Sequence, residues 1–337
     1  MGYVFSRNII IFALYLKFVS YKQTCMTAII VLNWNGADDT LACLNSLMKA
    51  DGDFRIYVVD NGSSDDSVSR IETWIGEHKK LDARLIALDR NYGFARGNNK
   101  GIAVAGQDTP DSYLLLNNDT EVSPDFLVSL QAFSKRNPQY RILTPKINYF
   151  YDKQKVWNCG GKLLFGFRKY YCSEQPDMAV RETDHLSVSF VTGCALYFYP
   201  ELLDEQNRLL TERFFFGEED FELSLRMKKQ KVQMACVLNS LIYHKVGASG
   251  NKMYGLGKVY MHYLNRFIDI RINKSGLFYY TWALVNLPFC IKHFYMSSHS
   301  LSRTLVLMKR LWKDARIKEG VSKEDFEALV IDNTYFV

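Results

Sequence analysis

Tyr113-Leu114-Leu115-Leu116-Asn117-Asn118-Asp119 is an apolar run that stops abruptly in two amides and a carboxylate. A run this short with no polar break reads as a strand covered on both faces, as in a parallel sheet flanked by helices. Its polar end then surfaces at the carboxyl edge of the sheet, where open α/β sheets bind ligands. Asp119 is thereby placed where a hard cation and a phosphate could meet it. Asn118-Asp119-Thr120 also admits a plainer reading, in which it opens a turn and caps a following helix.

The flanking sequence decides between the two. Thr27-Ala-Ile-Ile-Val-Leu-Asn33 is an apolar strand that ends in Asn33-Trp34-Asn35-Gly36, and Asp38 or Asp39 is expected to cap a helix with Leu41, Leu44, Leu47 and Met48 on one face. Arg55-Ile-Tyr-Val-Val-Asp60 is a second strand, turned by Asn61-Gly62 toward a helix through Trp74 and Ile75. Residues 85–88 make a third, after which Arg90-Asn-Tyr-Gly-Phe94 opens a helix carrying Ala95, Ile102, Ala103 and Ala105. Gly93, Gly97 and Gly101 recur every four residues, which is not the dinucleotide spacing and suits close helix packing with a permissive turn. Strands alternating with helices in this way predict an α/β fold with a mostly parallel central sheet flanked by helices. Asn33, Asp60 and Asp119 would then line one edge, the geometry a nucleotide site requires.

Ser123-Pro124-Asp125 starts a further helix, and near residue 142 the pattern changes to short apolar pieces rich in aromatics. Trp157-Asn-Cys-Gly-Gly161 and Phe165-Gly-Phe167 read as loops and turns, and residues 187–198 as two strand pieces joined at Thr192-Gly193. Phe214-Phe-Phe-Gly217 precedes Glu218-Glu219-Asp220-Phe-Glu-Leu-Ser-Leu-Arg226, a helix with acids in its first turn and bases in its last. The helix dipole alone favours that charge order. The apolar wall just before it would also raise the pKa of Asp220, as a general base requires.

A net charge of +6 over 337 residues is too mild and dispersed to argue for nucleic acid, and suits an anionic ligand or an acidic membrane surface. The seven cysteines contain no C-x-x-C pair, so neither a zinc site nor a disulfide framework is suggested, and a reducing cytoplasm is the natural compartment. Residues 9–16 are apolar, but Lys17 interrupts them short of the roughly 18 to 20 residues a span needs. Residues 1–25 are therefore read as an extension ahead of Met26, from a misassigned start, with a weak membrane anchor as the alternative.

Together these segments resemble the family-2 inverting glycosyltransferases with a GT-A fold, in particular the rhamnosyltransferase-like members. The resemblance is carried by Ile29-Ile-Val-Leu-Asn-Trp-Asn35, Val58-Val-Asp-Asn-Gly-Ser63, Arg90-Asn-Tyr-Gly-Phe-Ala-Arg-Gly-Asn98, Leu116-Asn-Asn-Asp119, Thr192-Gly193, Gly217-Glu-Glu-Asp220 with Leu225-Arg226, and His244 with Ser249. It implies a catalytic domain over residues 26–274, with a nucleotide-binding half (26–122) and an acceptor half (123–274), followed by a helical extension over residues 275–337. Asn33 and Asp60 would hold the base and ribose of a nucleoside-diphosphate sugar, with Asn61, Arg90, Gly93, Asn98, Asn117 and Asn118 lining the same pocket. Asp119 ends the family's D-x-D-like element, here Asn-Asn-Asp, and would bind a divalent metal, Mg2+ or Mn2+, together with His244. Asp220 would be the general base, Glu219 would orient the helix or acceptor, and Gly193 would let the acceptor approach. Ser249, in Gly247-Ala-Ser-Gly250, would close over the donor. The implied acceptor is a cell-surface glycan or a lipid-linked precursor, with rhamnose as the implied sugar.

Tyr263-Leu-Asn-Arg266-Phe267 with Arg271 resembles a basic aromatic helix that follows the catalytic domain in this family. Residues 277–291 are strongly apolar but broken by Asn286 and Pro288, and short for a span. Beyond them Leu301, Leu305, Met308 and Trp312 share one helical face and Arg303, Arg310 and Lys313 another. That pattern suits either a helix lying peripherally on the cytoplasmic face of a membrane or one packed on the catalytic domain. The sequence argues against two other functions. A nucleotidyltransferase would carry a basic glycine-rich phosphate loop after the first strand, which Asn33-Trp34-Asn35-Gly36 does not supply. A non-catalytic nucleotide-sugar binder or scaffold would tolerate loss of Asp119 or Asp220, and both are present.

Overall fold

The computed structural model describes residues 25–177, 183–246 and 255–332. Ser249 and residues 1–24 lie outside the described residues. Strands β1 (Thr27–Asn33), β2 (Phe54–Asp60), β3 (Ala83–Ala87) and β4 (Ser112–Asn117) form a parallel block in the order β3-β2-β1-β4, with helices α1 (Ala37–Leu47), α2 (Ser67–Glu77) and α3 (Phe94–Ala105) as crossovers. The apolar runs are buried on both faces, as their lack of alternation requires. Ile29, Val31, Leu114 and Leu116 enter one core, while Ala28, Ile30, Tyr57 and Leu115 enter the other. Each Val, Leu or Ile among them contributes roughly 1.5–3 kcal/mol when fully removed from water. The four-residue glycine repeat has a packing cause: a Cβ on Gly101 would stand 2.7 Å from Ile30 and from Val59.

After Asp119 the chain forms a strand, β5 (Thr120–Val122), and not a capped helix. It then runs through α4 (Phe126–Arg136), β6 (Tyr140–Tyr149), β7 (Val156–Asn158), a hairpin of β8 (Gly161–Leu164) and β9 (Phe167–Tyr170), β10 (His185–Val188), β11 (Ala195–Phe198), α5 (Glu219–Lys229) and β12 (Gln233–His244). β11 joins the parallel block antiparallel to β4 and passes the sheet on to β6, which pairs parallel with β12. The sheet beyond β4 is therefore mixed. β5 pairs with the end of β12, which sets Thr120 opposite His244.

Several local expectations change. Residues 157–161 and 165–167, expected as loops and turns, keep that character at Cys159-Gly160 and at the Phe165-Gly166 turn, while the residues around them are short strands, because β7 finds the edge of β6 and β8 pairs with β9. Gly36, not Asp38 or Asp39, occupies the N-cap of α1, and Met48 is half exposed. Pro288 does not break its segment. It sits at an exposed position inside one continuous helix, α7 (Gly276–Ser298), which lies between α6 (Leu256–Asn273) and α8 (Leu301–Ile317).

These three helices share a core with Leu163, Phe190, Phe214 and Phe221, so residues on both sides of position 274 pack together. α8 buries Thr304, Leu307, Leu311, Asp314 and Ala315. Of the stripe read as its apolar face, Leu301 is 62% and Leu305 59% exposed, while Met308 packs partly against this core and Trp312 against Tyr279.

Candidate active site

The tips of β1 and β2 lie side by side, with Asn33 opposite Asp60. Asn33 Nδ2 donates to Asp60 Oδ2 at 2.7 Å, and Asn33 Oδ1 accepts from Thr40 Oγ1 at 2.7 Å. Asp60 also accepts from the amide of Ser63 at 2.9 Å and from its hydroxyl at 2.6 Å. Both residues are fully buried, and their polar atoms are largely taken. They fix the two loops, and direct contact with a base or ribose would require these bonds to open.

Asn61 does similar work one loop further on. Its amide donates to Asn91 Oδ1 and to the Gly93 carbonyl, and its oxygen accepts from the Tyr92 amide. Asn118 donates to Thr40 Oγ1 at 3.0 Å, and Asn98 donates to the Phe94 carbonyl of its own helix. Arg90 is exposed with its guanidinium over the Tyr92 ring, and Asn117 is half-buried at the end of β4. Gly93 has φ +83°, and a Cβ there would stand 2.1 Å from the Phe215 carbonyl. Glycine is thus required where the Arg90–Asn98 loop meets the segment that leads into the acidic cluster.

Asp119 and His244 are brought together by the β5–β12 pairing. His244 Nε2 stands 3.1 Å from Asp119 Oδ1, Trp157 packs on the imidazole at 4.7 Å, and the Cys194 thiol lies against it. Burial opposes the charged imidazole, but Cys194 and Asp119 outweigh it and hold His244 above its ordinary pKa. Asp119 Oδ1 and His244 Nδ1 are buried and take no aligned hydrogen bond. The unpartnered carboxylate oxygen suits a cation, and a metal on the imidazole would displace its proton, as metal binding to histidine requires. No cluster of three or more ligating side chains exists among the described residues, so the protein offers one carboxylate and one imidazole. That set fits Mg2+ or Mn2+, which commonly takes one or two protein carboxylates and fills its sphere with phosphate oxygens and water.

Asp220 adjoins Gly193, where a Cβ would stand 3.9 Å from its own Cβ. The next residue, Cys194, accepts the Asn117 amide at 2.9 Å and touches His244. Gly193-Cys194 therefore links the Asp220 side of the site to the Asp119–His244 pair. Burial raises Asp220 above an ordinary carboxylate, Arg168 opposes the shift, and Glu218 adds to it. Glu219 is pushed up to about 8, chiefly by burial, and its Oε1 accepts the Gly217 amide at 2.8 Å. It is thus largely protonated near neutrality and unsuited to act as base.

Sequence reading missed Glu218, Arg168, His262 and Arg266. Burial opposes the charge on Glu218, but Arg266, Arg168 and His262 hold its carboxyl well below the usual range. It also missed residues 319–325, which with Arg90, Tyr92, Arg96, Arg213 and Phe215 line a cavity of about 710 Å³. The capping box at Ser322 and Asp325 was the one local signal there. Neither Asp119 nor Asp220 lines that cavity.

Residues 28–190 match the family described as Glycosyl transferase family 2. No curated protein matches the sequence. The fold is similar to that of the mannosyltransferase PcManGT from Pyrobaculum calidifontis, solved with GDP-Man and Mn2+, at 15% identity and TM-score 0.56, over 92% of this chain and 87% of that one. It is similar to S. aureus TarS 1-349 with UDP-GlcNAc, at 15% identity and TM-score 0.56, over 91% and 84%. GalNAc-T7 with UDP, GalNAc and Mn2+ is also similar, at 13% identity and TM-score 0.54, over 93% and 58%. With the motif order, the sheet and the family match in agreement, residues 28–190 form a glycosyl transferase family 2 domain, and the chain is a glycosyltransferase of the GT-A fold.

Proposed function

We propose that this enzyme moves a sugar from a nucleoside-diphosphate donor to a glycan or lipid-linked acceptor in one inverting displacement. Asp220 is the general base, and Asp119 with His244 holds a divalent metal. The observation that carries this reading is the Gly193-Cys194 link, which sets one partly exposed carboxylate on one side and a cation-suited carboxylate–imidazole pair on the other. Inverting transfer needs no protein nucleophile. The acceptor hydroxyl attacks the anomeric carbon opposite the diphosphate, and Asp220 takes its proton. A bound divalent cation would neutralise charge on the departing diphosphate.

Gly193 leaves room for the acceptor, and Glu219, protonated near neutrality, orients the loop. The presence of GDP-Man and Mn2+ in one similar structure and of UDP-GlcNAc in another supports the donor class and the metal. Rhamnose rests on the motif resemblance alone. A panel of UDP-, dTDP- and GDP-sugars tests the reading. One donor is expected to be hydrolysed slowly and to protect the protein from heat, both only with Mg2+ or Mn2+. If every donor leaves the melting curve and the donor pool unchanged, the assignment is wrong.

The acceptor side extends to the C-terminal helices. Among the described residues no helix is long and apolar enough to cross a membrane. α7 nonetheless carries apolar residues on both sides: Tyr279, Trp282, Ala283, Cys290 and Phe294 are buried, while Leu284 on the opposite side is 70% exposed. Exposed apolar area on this scale marks an interaction surface. Lys292, Arg303, Lys309, Lys313 and Arg316 are interspersed along α7 and α8, and the lone acid there, Asp314, is buried and accepts from Tyr260. This charge suits an anionic lipid surface on the cytoplasmic face of a membrane. Cosedimentation with vesicles containing phosphatidylglycerol is expected, weakening with salt and falling at least tenfold in Leu284→Glu/Leu305→Glu. Equal recovery of wild type and variant in the pellet would remove the membrane from the scheme.

A further inference from the structure

Glu218 has φ +71°, a left-handed conformation uncommon for a residue with a side chain, and it is buried directly ahead of Glu219 and Asp220. Such geometry persists only where the surroundings over-determine it. Here they do. Glu218 Oε1 lies 3.2 Å from Arg168 Nη2 and 2.9 Å from His262 Nδ1, and its other oxygen takes the Arg266 guanidinium. Arg266 also stacks 3.6 Å over Phe221 and donates to the Gly166 carbonyl of the β8–β9 hairpin. Arg168, on that hairpin, has a second nitrogen, Nη1, 3.6 Å from Asp220 Oδ1.

The geometry points to Arg168 as the positioning residue of the general base: it bridges Glu218 and Asp220 and holds the Asp220 carboxylate ionised and aimed, with Glu218 competing for the same guanidinium. This rests on the reading of Asp220 as base. Three consecutive acids thereby fall into three states. Glu218 is fully compensated by two arginines, Glu219 has none and keeps its proton, and Asp220 shares one. Environments that split neighbouring carboxyls in this way are how a fold assigns them different roles. The charged and titratable groups facing Asp220 are Arg168 and Tyr170 from the hairpin, Glu218 and Glu219 from its own loop, and Arg266 from α6, with the Gly193 amide adding a hydrogen bond. Arg168 is the closest cation, so its removal has a predictable sign.

The test is the pH dependence of kcat/KM for hydrolysis of the donor selected from the sugar-nucleotide panel, read as release of nucleoside diphosphate, which needs no acceptor. Arg168→Met removes the cation, so the acidic limb is expected to move up by roughly one pH unit. That is the low end of the 1–3 units an opposite charge within about 4–6 Å produces, since both side chains are about one-fifth exposed (21% and 22%). The rate falls several-fold on the acid side and recovers at alkaline pH. Glu218→Gln removes the competitor, so the limb is expected to move down. Arg168→Lys keeps a charge without the planar fork, and a smaller upward shift is expected. Donor binding by calorimetry stays near wild type throughout.

Limbs that coincide with wild type in both Arg168→Lys and Glu218→Gln, or a uniform loss at every pH, would reduce Arg168 to a structural tie. If Arg168→Met does not fold, the Lys and Gln variants carry the comparison. Full turnover by Asp220→Asn would instead remove the reading beneath the inference, whatever the Arg168 variants do.

Discussion

Asp220→Asn is expected to lower glycosyl transfer by roughly 10²- to 10⁴-fold, the usual contribution of a positioned general base. Donor affinity should be nearly unchanged. The amide has almost the same shape but cannot accept the proton of the attacking hydroxyl. Its loss should not unfold the loop, because the buried anchor there is Glu218, whose contacts with Arg168, Arg266 and His262 remain. Initial rates of nucleoside diphosphate release, set beside calorimetric donor binding, separate the two effects. Wild-type turnover in the Asn variant would send the search for the base elsewhere.

Asp119→Ala is expected to abolish the difference in donor binding between Mg2+ or Mn2+ and chelator. Loss of a second-shell partner alone typically weakens a metal site by about 10- to 100-fold, and Asp119 is the carboxylate the cation would use. Its Oδ1 is buried and faces His244 Nε2 at 3.1 Å without an aligned hydrogen bond, which leaves it able to take a cation. Calorimetry with and without metal is the direct measurement. Persistence of the full metal effect in the Ala variant would place the cation on other groups. The short Asn117-Asn118-Asp119 element makes this sharp, since neither amide can replace the lost charge.

The parallel block could be read from the sequence because its strands are apolar without alternation and end in Asn33, Asp60 and Asn117, so strand, face and edge followed from local pattern alone. The use made of those ends was less legible. Asn33 and Asp60 look like ligand groups in sequence, yet in the fold they satisfy each other, because two adjacent parallel strand ends bring an amide donor onto a carboxylate. Glu218 was visible only as part of a helix-start acid cluster. Its partners come from 44 to 50 residues away on the hairpin and on α6, and no local pattern specifies the register of either. α8 shows a different limit. Periodicity picks out the stripe with Leu301 and Leu305, whereas the fold buries the face with Thr304, Leu307, Leu311 and Asp314, where Ser298, Ser300 and Tyr260 satisfy the polar atoms. The more apolar stripe, with Leu301 and Leu305, is left in contact with solvent.

The backbone of Val321 pairs with Arg213 and Phe215, and Leu329 packs under Gly257 of α6. During translation the four-strand parallel block, complete once β4 has emerged, can condense early, since amino-terminal units fold first on the ribosome. The Phe214–Gly217 segment, by contrast, waits for partners made about a hundred residues later. A nascent chain therefore holds a nearly finished parallel block beside an acid loop still lacking its clasp, which delays completion of that loop until the last helices have been made.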